Sequence, residues 1–190
     1  KFCGVRPDVV GAGRTDAGVH AVGMVAHMDI DGEHSANTVM RAINFYLVGK
    51  PVVVLDCEIV NDDFNARFDC VARHYKYVVS NRMAAPVLNK NRVYWVPRKL
   101  DIEKMQTAAQ KLIGNHDFTS FRASECQAKS PIKTLDKISI TKNGDDIVFE
   151  FSARSFLHHM VRNIVGTLVE IGLGKPYDID EILAAKNRSA

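Results

Sequence analysis

Between Val9 and Ala21 the chain reads VVGAGRTDAGVHA, three glycines around a charged Arg14-Thr15-Asp16 core. A glycine-rich loop invites a nucleotide reading, and two such readings fail on spacing. A dinucleotide fingerprint starting at Gly11 and Gly13 requires a third glycine where Asp16 stands, and a carboxylate there would face a pyrophosphate. A phosphate-binding loop built on Gly13 and Gly18 requires Lys and Ser or Thr where Val19 and His20 stand. What remains is a tight loop presenting Arg14 and Asp16 together. Glycines at 11, 13 and 18 permit positive φ angles and close backbone approach, so a short carboxylate can be held in a fixed direction. The residues fit either a catalytic carboxylate or a structural turn in which Asp16 caps local groups.

Other residues that could do chemistry lie further along. Arg162 stands in the otherwise apolar stretch MVRNIVG, where a guanidinium is either paired, because burying it alone is costly, or extended to solvent along its aliphatic stem. Tyr75 lies in RHYKYVVS on one face with Tyr77 and Val79, where an aromatic in a strand reads first as packing. His158 and His159 are adjacent, so on a helix they point about 100° apart, and no third ligand is placed by spacing. They read as packing or hydrogen-bonding groups lining a site, and no metal is expected.

The elements that must position these residues alternate between strand and helix. Val22, Met24, Ala26, Met28 and Ile30 share one face of an expected strand. Ser35 caps an expected helix through Val39, Ile43 and Leu47 that ends near Gly49 and Pro51, and the β-branched run VVVLDCEIV follows. The polar segment Asn61-Asp62-Asp63 marks a break between two subdomains, 1–62 and 63–190. Beyond it, the strand RHYKYVVS precedes a helix capped by Asp101, with Ile102, Met105, Ala109 and Leu112 on one stripe and Gly114 closing it. A hairpin is expected at Asn143-Gly144, then a largely buried helix from Phe156 to Glu170 stopped by Gly172 or Gly174. Asp178 with Glu181 resembles a capping box opening a last short helix.

Composition sets the limits around these elements. The chain has 190 residues, 46% hydrophobic and 25% charged, as in a globular protein long enough for one large or two small cores. Cys3, Cys57, Cys70 and Cys126 form no C-x-x-C, so neither a disulfide framework nor a zinc site is expected, and a reducing, cytoplasmic setting fits. No apolar run approaches the roughly 20 residues needed to span a bilayer, and the opening KFCGVRPDVV lacks the character of a signal peptide. The net charge of +3 is unevenly spread: residues 1–62 carry 5 basic against 8 acidic residues, and 63–190 carry 20 against 14. The second part would attract a polyanion such as RNA, with Arg67, Arg73, Lys76, Arg122, Lys129 and Arg154 as candidate phosphate contacts.

The string GRTDAGVHA resembles the signature of the TruA family of tRNA pseudouridine synthases. Three further motifs match in family order: DDFNARFDCVARHYKY at 62–77, DFTSFRASECQAKSP at 117–131 and FLHHMVRNIVGTLVEIG at 156–172. The resemblance implies an α+β pseudouridine synthase fold of two subdomains, each a mainly antiparallel sheet with helices on one face, and a cleft between them. It implies Asp16 as the catalytic carboxylate, Arg162 as its salt-bridge partner, Tyr75 as a ring stacked on uracil, and Arg14 as support for a flipped-out nucleotide. It further implies a homodimer that acts without cofactor or bound nucleotide on uridines in the 3′ side of the tRNA anticodon stem-loop. Members of that family begin with a strand and helix ahead of the GRTD motif and continue beyond the last helix, so the chain is expected to be part of a longer protein. The rival expectation is a non-catalytic RNA-binding protein of the same fold.

Overall fold

A computed structural model describes residues 6–188; Cys3 lies outside them. The chain divides into two compact units, residues 1–70 and 71–190, the first ending a little beyond the polar Asn61-Asp62-Asp63 segment. The fold is α+β, with one small and one large sheet.

In the first unit, strands β1 (Val10–Gly11) and β2 (Ala26–His27) pair antiparallel, Val10 opposite His27 and Gly11 opposite Ala26. Helix α1 (Ala36–Leu47) starts where the hydroxyl of Ser35 accepts from the Thr38 amide at 3.2 Å, and Gly49 follows it at φ 79°. The expected strand Val22–Ile30 thus shrinks to two residues, and VVVLDCEIV forms no strand. Period-two patterning selects a pleated backbone, but a strand also needs a neighbour for its amides and carbonyls. Among the described residues, β1 supplies one only beside Ala26 and His27. The VVVLDCEIV segment is instead gripped at Val54, whose amide and carbonyl bond the Asn44 side chain at 2.8 Å each. Val22, Val53, Leu55 and Ile59 are exposed accordingly.

The second unit holds a five-stranded sheet in the order β4-β3-β7-β6-β5. Its strands are β3 (Arg73–Ser80), β4 (Tyr94–Trp95), β5 (Gly114–Asp117), β6 (Ile132–Asn143) and β7 (Asp146–Ala153). All neighbours run antiparallel except the short β3–β4 pair. The hairpin turns one residue later than expected: Asn143 pairs with Asp146, so the loop is Gly144-Asp145, with Gly144 at φ 59°.

Helix α2 (Ile102–Gln110) starts at the expected Asp101 cap but stops before Gly114, which opens β5. Helix α3 (Met160–Gly172) begins four residues later than expected. It ends with Gly174 at φ 90°, whose amide reaches Ile171 while that of Lys175 reaches Glu170, satisfying the last carbonyls. Helix α4 (Ile179–Ala185) is capped by Asp178, whose carboxylate accepts from the Asp180 amide rather than forming the expected box with Glu181.

The apolar core lies in this unit, where Met105, Leu112, Phe118, Leu135, Ile147, Phe149, Ile164 and Leu168 are fully buried. Alternation along β3 turns Tyr75, Tyr77 and Val79 toward that core and His74 and Lys76 the other way. No helix among the described residues is long and apolar enough to cross a membrane.

Candidate active site

The glycine-rich loop of the first unit leaves the small sheet through Ala12, whose amide still donates to the Val25 carbonyl at 2.8 Å. A turn then closes from Asp16 to Val19: the Val19 amide donates to the Asp16 backbone carbonyl at 3.1 Å, with Gly18 in the third position at φ 80°. A side chain at that φ would be strained, so Gly18 fixes this type II geometry. Gly11, by contrast, sits in β1. Asp16 thus enters its turn through the main chain, and Arg14, Thr15 and Asp16 are all exposed on the loop. Arg67 belongs to this unit too, exposed, with its guanidinium 5.8 Å from the centre of the Phe68 ring.

In the second unit, several of the expected residues collect at one end of the large sheet, where β3 begins, β7 ends and α3 starts. Pairing of Arg73 with Ala153 and of Tyr75 with Phe151 sets Tyr75 one pleat in from that end. The Arg73 guanidinium donates to the Arg154 carbonyl, clasping the start of β3 to the residue after β7. The half-buried Tyr75 ring meets Phe156 edge to face, centres 4.9 Å apart. The chain carrying Phe121 and Ala123 is stitched to the start of α3: the Ala123 amide donates to the His158 carbonyl at 2.9 Å, and the Asn163 side chain donates to the Phe121 carbonyl at 2.8 Å. That brings Arg122 to the same end, whereas Lys76 faces the opposite side of the sheet. Lys129 is exposed on the segment leading to β6.

Arg162 is exposed, on the outer face of an otherwise apolar helix. Its Nη2 lies 2.9 Å from His159 Nδ1. Its charge also reaches Tyr77, whose phenol is held above its ordinary value chiefly by burial and secondly by neighbouring Tyr94, with Arg162 opposing both. A guanidinium and an edge-on aromatic pair share this end of the second unit, with the Tyr77 phenol next inward along β3. Such a group can hold a planar polar ring and an anion.

Sequence reasoning passed over two features. His159 was expected as a lining group, but its left-handed backbone (φ 62°, ψ 5°) has no signature in residue type; its i, i+3 spacing to Arg162 was the available signal. Tyr94 acts on Tyr77 from the other end of β3, because β4 runs beside that strand with Tyr94 opposite Val79, a pairing that patterning does not disclose.

Comparison with known proteins places this geometry in context. A family model described as tRNA pseudouridine synthase matches residues 108–190. The chain is 51% identical over 191 residues to a protein named tRNA pseudouridine synthase A from Paramagnetospirillum magneticum, covering 100% of this chain and 75% of the relative. The protein of that name from Bradyrhizobium sp. is 50% identical over 99% of this chain and 78% of its own length. The one from Bartonella bacilliformis is 46% identical over the same shares of each.

Proposed function

The chain belongs to the tRNA pseudouridine synthase family, and from that premise we propose that it isomerises uridine to pseudouridine in tRNA, with Asp16 as the reacting carboxylate. The observation that carries this reading is similarity near half identity along the whole chain, the Asp16 loop included.

The reaction breaks the bond from ribose C1′ to uracil N1 and forms one from C1′ to C5. The C5 proton leaves and N1 gains one, so no electrons are exchanged and no redox cofactor is called for. The chemistry needs a carboxylate acting on the sugar, a cation keeping that carboxylate ionised, and a surface holding the detached base while it turns. Asp16 supplies the first, and the Gly18 turn fixes its main chain. Arg162 supplies the second, and its exposure supports this, because a solvent-reaching guanidinium is available to an anion. Tyr75 supplies the third, its ring steadied by Phe156. The uridine must leave its stack to be reached, and Arg14, exposed on the Asp16 loop, takes the vacated place. Arg67, Arg73, Arg122, Lys129 and Arg154 contact phosphates, and Lys76, on the opposite side of the sheet, does so more weakly.

The substrate region is the 3′ side of the anticodon stem-loop, and the working assembly is a homodimer. Incubating the protein with tRNA and mapping pseudouridine by carbodiimide modification and primer extension tests the reading. It expects new stops confined to that side of the stem-loop. Tight tRNA binding with no isomerised uridine would leave the non-catalytic RNA-binding reading instead.

A further inference from the structure

We propose that His159 is a positioning residue for Arg162: a left-handed backbone at the head of α3 aims its ring so that Nδ1 accepts from the guanidinium and fixes the direction in which Arg162 is presented. The inference rests on the reading in which Arg162 serves the reacting carboxylate, and it goes beyond that reading by assigning a residue that acts through Arg162.

The atoms determine the direction of the bond. A guanidinium carries only donors, so in the 2.9 Å contact His159 Nδ1 is the acceptor. An N-cap residue ordinarily sits in the extended region and turns its side chain back onto the helix amides. His159 does neither, standing at φ 62° with no side-chain cap bond. Residues bearing a Cβ rarely adopt that conformation, and where one does the surroundings over-determine it. Here the backbone is pinned on both sides. The His158 carbonyl accepts from the Ala123 amide at 2.9 Å, the Met160 amide donates to Leu157, and the His159 carbonyl accepts from Asn163 at 3.0 Å. Leu157 and Met160 are buried as anchors to either side.

The ring is steadied as well, since the His158 ring lies over it with centres 3.8 Å apart and a 40° tilt. Arg162 is exposed on a long flexible stem, so without a brace its guanidinium would sample many rotamers. A fixed acceptor one helical turn away removes that freedom before substrate arrives.

Two substitutions in the full-length protein separate bracing from backbone geometry. Asn offers Oδ1 in place of Nδ1 and tolerates the left-handed region; Gly suits the backbone still better but offers no acceptor. His159→Asn is expected to keep kcat within about threefold of the parent, whereas His159→Gly loses roughly tenfold in kcat with KM for tRNA unchanged. The urea midpoint of His159→Gly should equal or exceed the parent's, which sets misfolding aside. Parental kcat in His159→Gly, or equal losses in both variants, would overturn the proposal. Asp16→Asn assayed alongside distinguishes the levels. If it is inactive while His159→Gly turns over at the parental rate, only the bracing role falls; if Asp16→Asn retains parental turnover, the reading of the site falls and takes the bracing role with it.

Discussion

Tyr75 faces the helices, half-buried, with Phe156 edge-on to its ring, so packing holds its aromatic plane at the end of the sheet. The proposed stacking can be tested separately from the hydroxyl. Replacing it by Leu keeps apolar volume but removes the stacking surface, a loss of about 1–3 kcal/mol per base and so roughly tenfold or more in kcat/KM for tRNA. Tyr75→Phe keeps the stack and the contact with Phe156, and any smaller loss it shows measures the hydroxyl. Steady-state assays of both variants check the order; a Tyr75→Leu protein with parental kcat/KM would remove the ring from the site. The side of β3 on which Tyr75 lies was legible in the sequence because alternation in RHYKYVVS needs nothing beyond the strand. His159 was not legible in the same way, since its part depends on a backbone angle that tertiary contacts impose.

At the scale of elements, legibility followed the need for partners. Helices α1 and α2 carry side-chain caps at Ser35 and Asp101 that act locally, and both begin where their sequences indicate. Val22–Ile30 has an alternating strand pattern and VVVLDCEIV is a β-branched run, yet only Ala26 and His27 among them pair, because pairing is decided by what lies alongside. The seat of α3 against α2 depends on Gly172. A Cβ built there would come within 2.5 Å of the Met105 sulfur and 3.3 Å of Leu100, both buried. Gly172→Ala is therefore expected to cost about 1–3 kcal/mol by overpacking, read from urea unfolding, with an unchanged midpoint contradicting the packing described.

The end of α2 and the head of α4 are joined through Lys111, whose ammonium lies 2.9 Å from Asp178 and 2.6 Å from Asp180. The Lys111 bond, and then the Asp180 amide, hold the Asp178 carboxyl below its ordinary value. A carboxyl depressed in the folded state stabilises above its unfolded pKa and loses that contribution as pH falls through the folded one. Asp178→Ala should therefore lower stability near neutrality and flatten its decline below about pH 4. A pH series of melting curves, parallel for parent and variant across that range, would contradict this.

Over the whole molecule, charge divides with the two compact units. Residues 1–70 carry 6 basic against 10 acidic residues, whereas residues 71–190 carry 19 against 12. The net charge of +3 conceals this contrast, which counting along the sequence had already disclosed in outline. A nucleic-acid ligand should bind mainly through the basic unit and weaken as salt rises. Because Arg122 is tied to the head of α3 while Lys76 faces the other side of the sheet, Arg122→Ala should reduce the salt slope of tRNA binding by roughly one phosphate's worth, and Lys76→Ala by less. Equal reductions, measured by filter binding across a salt series, would mean that RNA follows both faces. The catalytic expectations presuppose that Asp16 is the group that reacts. The most direct measurement is release of tritium from tRNA labelled at uridine C5, by the parent and by Asp16→Asn, with tRNA affinity measured alongside. The parent should release label, and Asp16→Asn should bind tRNA as tightly while releasing none above background; equal release by the two proteins would contradict the account.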